Sequence, residues 1–164
     1  MSSVRVRPYT AQDEAWAAAL LGAELGGRLQ ARRGELVDVL AFDGLIAEAG
    51  PTPVGYHSYR VDGEACELAA LAPARRHGGI GTALLRALRD QIRSCKRVWV
   101  VTTNDNVEAL RFYQRRGFRL SALRAGAVDD SRTKLKPGIP PTGDFGIPLR
   151  DELELEARVE DLPD

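Results

Sequence analysis

The chain has little with which to bind a metal or cross-link itself. Its 164 residues include two cysteines, Cys66 and Cys95, and two histidines, His57 and His77. Two cysteines make no disulfide framework, and the four residues have no zinc-ligand spacing, so no metal is expected. Also missing is any apolar run near the ~18–20 residues that cross a bilayer. The opening residues Met1–Pro8 carry no apolar signal core, so no membrane partner and a reduced, cytoplasmic location are expected. Aromatics make up only 6% of the chain, and the basic stretch lacks the interleaved aromatics of a strand-binding surface. With a pI near 6.8, nucleic acid is not an expected partner.

What is present is an ordinary globular composition, 44% hydrophobic and 28% charged, with a net charge of zero that conceals an asymmetry. Arg75 to Arg124 holds 12 Lys/Arg against 3 acids, whereas Arg150 to Asp164 holds 2 Arg against 7 acids. The middle of the chain suits an anion. No repeat or linker divides the sequence, so a single domain over 1–164 is expected, with 156–164 a frayed tail.

Val4 to Pro8 alternates like a strand, and Thr10-Ala11-Gln12-Asp13 reads as the capped start of a helix running to Leu25. Gly26-Gly27 ends it, and a second helical piece is expected to about Arg33. Leu36 to Phe42 fits helix or strand. Leu45 to Ala47, Val54 to Val61 and Cys66 to Ala72 read as strands, the last two joined at Asp62-Gly63. The period then changes: Ile80, Leu84, Leu85, Leu88 and Ile92 form a helical stripe, with Arg86, Arg89 and Arg93 opposite. Strand Val98–Val101, a helix over Val107 to Arg116 closed by Gly117, and strand Phe118–Leu123 follow. Val128 to Lys136 has no clear period, Pro137 to Pro148 reads as a loop, and Arg150 to Glu156 as a half-exposed strand with Glu152, Glu154 and Glu156 on its outer face. Those acids suit edge protection, or attraction of a cationic amine. The alternation of strands and helices implies a mixed α/β sheet with at least one parallel pair, and ligands of such sheets sit at the carboxyl ends of strands, here after Ala72 and Thr103.

At the first of these positions stands Arg75-Arg76-His77-Gly78-Gly79-Ile80-Gly81-Thr82, opening the amphipathic helix. Glycines let the backbone approach a ligand, and the free N–H groups of the first helical turn favour an anion, so a phosphate or pyrophosphate fits. No Lys follows as a P-loop requires. The third small residue and the later acid of a dinucleotide fingerprint are also missing. A glycine turn serving only close packing is the structural alternative.

About 25 residues on comes Asn106-Val107-Glu108-Ala109-Leu110-Arg111-Phe112-Tyr113, ending in Arg116-Gly117-Phe118. Arg76-x-x-Gly79-x-Gly81, followed by Asn106, Ala109, Phe112, Tyr113, Gly117 and Phe118 at these spacings, resembles the GNAT superfamily of acyl-CoA-dependent N-acetyltransferases. The resemblance spans about Glu67 to Leu120. It implies an α/β (α+β) fold: a mixed, largely antiparallel central sheet of six to seven strands flanked by helices, with a V-shaped splay between two central parallel strands.

It also implies acetyl-CoA as co-substrate. The pyrophosphate would sit on His77, Gly78, Gly79, Ile80, Gly81 and Thr82 with help from Arg76, and the pantetheine would lie along Leu71 and Ala72. Asn106, Ala109 and Phe112 would border the cofactor, and Asn106 would also cap its helix. Tyr113 matches the position of the acid that protonates the leaving thiolate. Glu67 matches a position where many members carry an acid, and is the candidate base, with Glu64 close behind. His57 reads as a satisfied sheet histidine or an acceptor-site group, and Cys66 and Cys95 as inert. The acceptor would be a small-molecule or peptide amine, Lys134 and Lys136 could help shape its pocket, and family members often form homodimers. A non-catalytic acyl-CoA-binding or regulatory module on the same fold is the competing function.

Overall fold

The structure is a computed structural model that describes residues 3–76 and 78–164; His77, expected to meet the pyrophosphate, lies outside the described residues. Strand β1 (Val4–Pro8) leads into a short 3-10 turn and helix α1 (Glu14–Leu25). The entry is fixed by charge: the Asp13 carboxylate accepts the Thr10 N–H at 2.8 Å and both ends of the Arg7 guanidinium at 2.8 Å. These bonds hold the Asp13 acid down at about 2.

After Gly26-Gly27 the chain does not resume a helix. Strands β2 (Leu29–Arg32) and β3 (Glu35–Asp38) form a hairpin whose turn, Arg33-Gly34, has positive φ at both residues (52° and 77°). That geometry matches the twist of a hairpin, and Gly34 supplies one of the two left-handed residues. The Gln30 amide donates to the carbonyls of Leu25 and Gly27, so the hairpin also caps α1.

Strands β4 (Asp43–Ala49), β5 (Thr52–Asp62) and β6 (Ala65–Pro73) follow as an antiparallel meander. Helix α2 (Ile80–Gln91) then crosses to β7 (Arg97–Thr103), which runs parallel to β6. Helix α3 (Val107–Gln114), β8 (Arg119–Arg124), α4 (Ala127–Lys134) and β9 (Glu152–Arg158) complete the chain. The main sheet has seven strands in the order β1-β4-β5-β6-β7-β9-β8, antiparallel except for β6–β7. The expected stripe Ile80, Leu84, Leu85, Leu88 and Ile92 is fully buried under α2. α2 and α3 cover one face of the sheet, with Cys66, Leu68, Val98 and Leu155 beneath them, while α1 covers Ile46, Tyr56, Ala70 and Ala72 on the other.

Two expectations about the end of the chain are corrected. β9 is an interior strand inserted between β7 and β8, so its glutamates protect no edge. Nor do the residues from 156 fray throughout: Glu156 to Arg158 complete β9, and Val159 and Leu162 are buried in the core formed with α2. Gly117 makes room for them, because a Cβ there would stand 2.5 Å from the Asp161 carbonyl oxygen. Burying a leucine is worth ~1.5–3 kcal/mol, enough to hold a short tail in place.

Candidate active site

The parallel strands β6 and β7 pair only over Ala65↔Arg97, Cys66↔Val98 and Glu67↔Trp99. Beyond that step β6 stays paired to β5 and β7 to β9, but the edges they turn towards each other are unpaired and the sheet opens. A bulge sits at the opening. Ser58 pairs with Ala70 and Tyr59 with Leu68, leaving Ala69 as an extra residue. Because strand side chains alternate, one extra residue exchanges the faces. Leu68 packs on the α2 side, whereas Ala70 and Ala72 pack on the α1 side. Leu71 returns to the α2 side at the edge of the opening.

The glycine loop arrives at the head of this gap. Gly79 is the N-cap of α2 with φ of 72°, a conformation that side chains resist. A Cβ on Gly81 would stand 2.8 Å from the Phe112 ring, so this glycine lets α3 lie against α2. The Arg116 guanidinium stacks over Phe112 at 3.9 Å and donates to the Thr82 hydroxyl at 2.9 Å, tying the two helices together. Gly78 to Thr82, Leu71 and Ala72 border a cavity of about 460 Å³ that also takes in Arg75, Arg76, Arg111, Arg115 and Arg116. Five arginines of the basic stretch are therefore gathered beside the free N–H groups of a helix N-terminus, the environment an anion prefers. Arg76 is largely exposed, at 3.8 Å from Glu108. Asn106 caps α3, its Oδ1 accepting the Ala109 N–H at 3.1 Å, and Asn106, Ala109 and Phe112 all line the cavity.

A second cavity, about 580 Å³, lies on the α1 side of the opening between α1, the β2–β3 hairpin, α4 and the 137–149 segment. Its walls are largely apolar, including Leu68, Val100, Val128 and Leu149, with the buried carboxylates of Asp105 and Glu152 set among them. Lys136 lines it as well and donates to the carbonyls of Gly26 and Leu29, which fixes α4 to the end of α1. The long loop is an ordered turn: Asp105 accepts the Asp144 N–H at 3.0 Å and the Thr103 hydroxyl, and Gly143 donates to the Ile147 carbonyl.

Tyr113 belongs to both cavities. Its ring is held between Phe112 at 5.3 Å and Phe118 at 5.1 Å, and the residue is only 6% exposed. Burial alone pushes its phenol well above its ordinary range, with no hydrogen bond contributing. It is a protonated donor at the junction of the two cavities.

Glu67 sits differently. It occupies the last paired step of β6, below the opening, and is not among the residues lining either cavity. Its buried carboxylate accepts from Arg32 and, at 3.2 Å, from Arg60. Glu64 pairs with Lys96 on the surface at 3.3 Å. His57 is neither satisfied nor at a cavity: it is fully buried on β5 with both ring nitrogens unpartnered. Burial pushes the Cys66 thiol up to about 12. Among the described residues no group of His, Cys, Asp and Glu could hold a metal ion, and no helix is long and apolar enough to cross a membrane. A wider groove of about 840 Å³ at the far end of α2 carries Arg89, Arg93, Lys96 and Arg158, each already paired with a nearby carboxylate.

Two residues escaped the sequence reading. Arg116 had a signal, the arginine pair before Gly117, but its stacking on Phe112 depends on the α2–α3 approach. Asp105 had none, because nothing local distinguishes a buried carboxylate from a solvated one. Glu152 was read only as one of three outer-face acids suited to edge protection or to attracting a cationic amine, and its burial was not foreseen.

Residues 11–118 match the Acetyltransferase (GNAT) family, and the chain belongs to that family. It is 41% identical over 102 residues to the uncharacterized protein YdhI of Bacillus subtilis, covering 61% of this chain and 63% of that one. Against the uncharacterized protein YxbD of the same organism it is 45% identical over 104 residues, covering 62% and 65%. The chain thus matches less than two thirds of the length of either relative. A GNAT family acetyltransferase from Elizabethkingia anophelis, solved with acetyl-CoA bound, superposes with a TM-score of 0.77 over 96% of this chain and 99% of that one, at 21% identity. The mixed seven-stranded sheet with its one parallel pair is the fold of that structure.

Proposed function

We propose that the protein transfers an acetyl group from acetyl-CoA to a primary amine by direct attack within a ternary complex. The observation that carries this reading is Tyr113 lining both a cationic cavity and a carboxylate-bearing one, in a sheet opening of the right shape for an extended arm. The Elizabethkingia relative's bound acetyl-CoA supports the choice of donor.

In this reading the N–H groups at the start of α2 take the pyrophosphate, with Arg76 and Arg116 supplying opposite charge. The free edge of β6 at Leu71 and Ala72 pairs with the amide groups of the pantetheine arm and replaces the partner that β7 no longer provides. A backbone N–H on that edge polarises the thioester carbonyl. Tyr113 gives its proton to the departing sulfur. Burial raises the phenol, but a thiolate in the same dry slot is raised too, so donor and acceptor stay matched. Glu67, with a carboxylate oxygen committed to two arginines, braces the hairpin against the sheet.

Calorimetric titration with CoA, acetyl-CoA, NAD and ATP tests the donor, and thiol release with an amine panel tests the transfer. Micromolar binding of the CoA compounds alone is expected. Binding of NAD or ATP instead, or of none, would remove the reading.

A further inference from the structure

We infer that Glu152, on β9, is the proton acceptor for the attacking amine, an inference that rests on the acetyl-transfer reading above. Glu152 is opposite Thr103, the last residue of β7, and so stands at the level where the sheet has opened. It is 2% exposed and lines the second cavity together with Tyr113. The acid and the base come from opposite faces. Tyr113 belongs to the core under α2 and α3, while the residues Glu152 to Glu156 alternate so that Leu155 joins that core and Glu152 faces the hairpin side. A thioester held in the gap would meet the amine from one face and Tyr113 from the other.

Of the other carboxylates, Glu24 and Asp144 also line the cavity but are exposed, and Glu67 and Asp105 are engaged elsewhere. Glu67 lies below the opening between two arginines. Asp105 holds the turn at Asp144 and the Thr103 hydroxyl. Glu152 makes only long bonds: its Oε1 accepts the Arg33 N–H at 3.1 Å and Arg124 Nε at 3.3 Å, and its Oε2 shares the Arg33 N–H at 3.3 Å. The charged groups around it are Arg33 of the hairpin turn, Arg124 of β8 and Glu154 on its own strand, with Arg32, Asp105, Lys136, Glu24 and Asp144 also lining the cavity. An acid at this depth among apolar walls selects an ammonium on an apolar body as the acceptor.

The protons balance as follows. Glu152 takes the ammonium proton and passes it to solvent, which frees the nitrogen lone pair. The C–N bond forms as the C–S bond breaks, and the electron pair leaves on sulfur. Tyr113 protonates the sulfur, and the second nitrogen proton, lost as the amide forms, restores the phenol through solvent.

The test compares Glu152→Gln with wild type on n-hexylamine, benzylamine and 1,4-diaminobutane. Glutamine still accepts the Arg33 N–H, so Tm and CoA affinity should hold. At pH 7, kcat/KM should fall about 100-fold, and the gap should close as pH approaches the pKa of the amine under test, where free base needs no acceptor. Glu152→Asp keeps the Arg124 pair with a shorter reach and should lose about tenfold with the same convergence. A loss below threefold, or one of equal size at every pH, would overturn the assignment and leave Glu152 as a pin for the hairpin. Wild-type protein that binds acetyl-CoA but acetylates no amine of the panel would overturn it as well. Failure to bind CoA would instead remove the acetyl-transfer reading itself.

Discussion

His57→Leu should stabilise the protein, and by more as the pH falls. His57 lies on β5 between Leu45 of β4 and Leu71 of β6, with the Tyr59 ring 5.7 Å away. Neither ring nitrogen has a partner, and burial alone pulls the imidazole down to about 3. An unmet buried donor or acceptor costs roughly 1–3 kcal/mol. Leucine removes both and nearly conserves volume, and part of the gain is lost to the change of shape. A net stabilisation of about 2 kcal/mol is expected at pH 7. The unfolded chain takes a proton on this histidine near 6.5, which the folded state refuses. The wild type therefore keeps its full stability above that pH and loses about 1.4 kcal/mol per unit as pH drops towards the folded value. The leucine variant has no such loss, so the difference should widen to about 4 kcal/mol at pH 5. Urea unfolding of both proteins at pH 7 and pH 5 measures it. A difference that does not change with pH would refute the reasoning, because it would mean that the imidazole has a partner that accommodates its charge.

Three further substitutions probe the cavities and the end of the chain. Tyr113→Phe should leave CoA affinity unchanged and lower kcat about 100-fold in a thiol-release assay; unchanged turnover would take the hydroxyl out of the acid role. Gly81→Val sets a side chain against the Phe112 ring, 2.8 Å from the new Cβ, and displaces the Arg116 stack. Calorimetry should then show CoA binding weakened at least about tenfold, since a misplaced charge-assisted bond to phosphate costs ~1.5–3 kcal/mol. Gly117→Ala combines a φ of 95° with a Cβ 2.5 Å from the Asp161 carbonyl, so it should destabilise the fold by roughly 1–3 kcal/mol in a denaturation curve. A neutral result there would mean that the terminal segment yields without cost.

Much of the candidate site was legible locally. The stripe Ile80 to Ile92, the glycine loop before it, the Asn106 cap and the Phe112-Tyr113 pair all act through residues within a turn or two of one another, and their periods and spacings are properties of the chain alone. What local pattern could not convey was how segments distant in sequence come together. The helix expected after Gly26-Gly27 is a hairpin because its turn matches sheet twist and its strands dock on α1 and α4. The acidic strand expected to be half exposed became interior because β7 and β8 pair with both of its edges. That insertion turned Glu152 from a surface charge into the buried carboxylate of the second cavity, while Glu67, the candidate base, is paired with Arg32 and Arg60 below the opening. By itself the sequence determined the family, the glycine loop and the place of the tyrosine. Only the tertiary structure decided which carboxylate stands in the opening, because burial and pairing depend on neighbours that lie far along the chain.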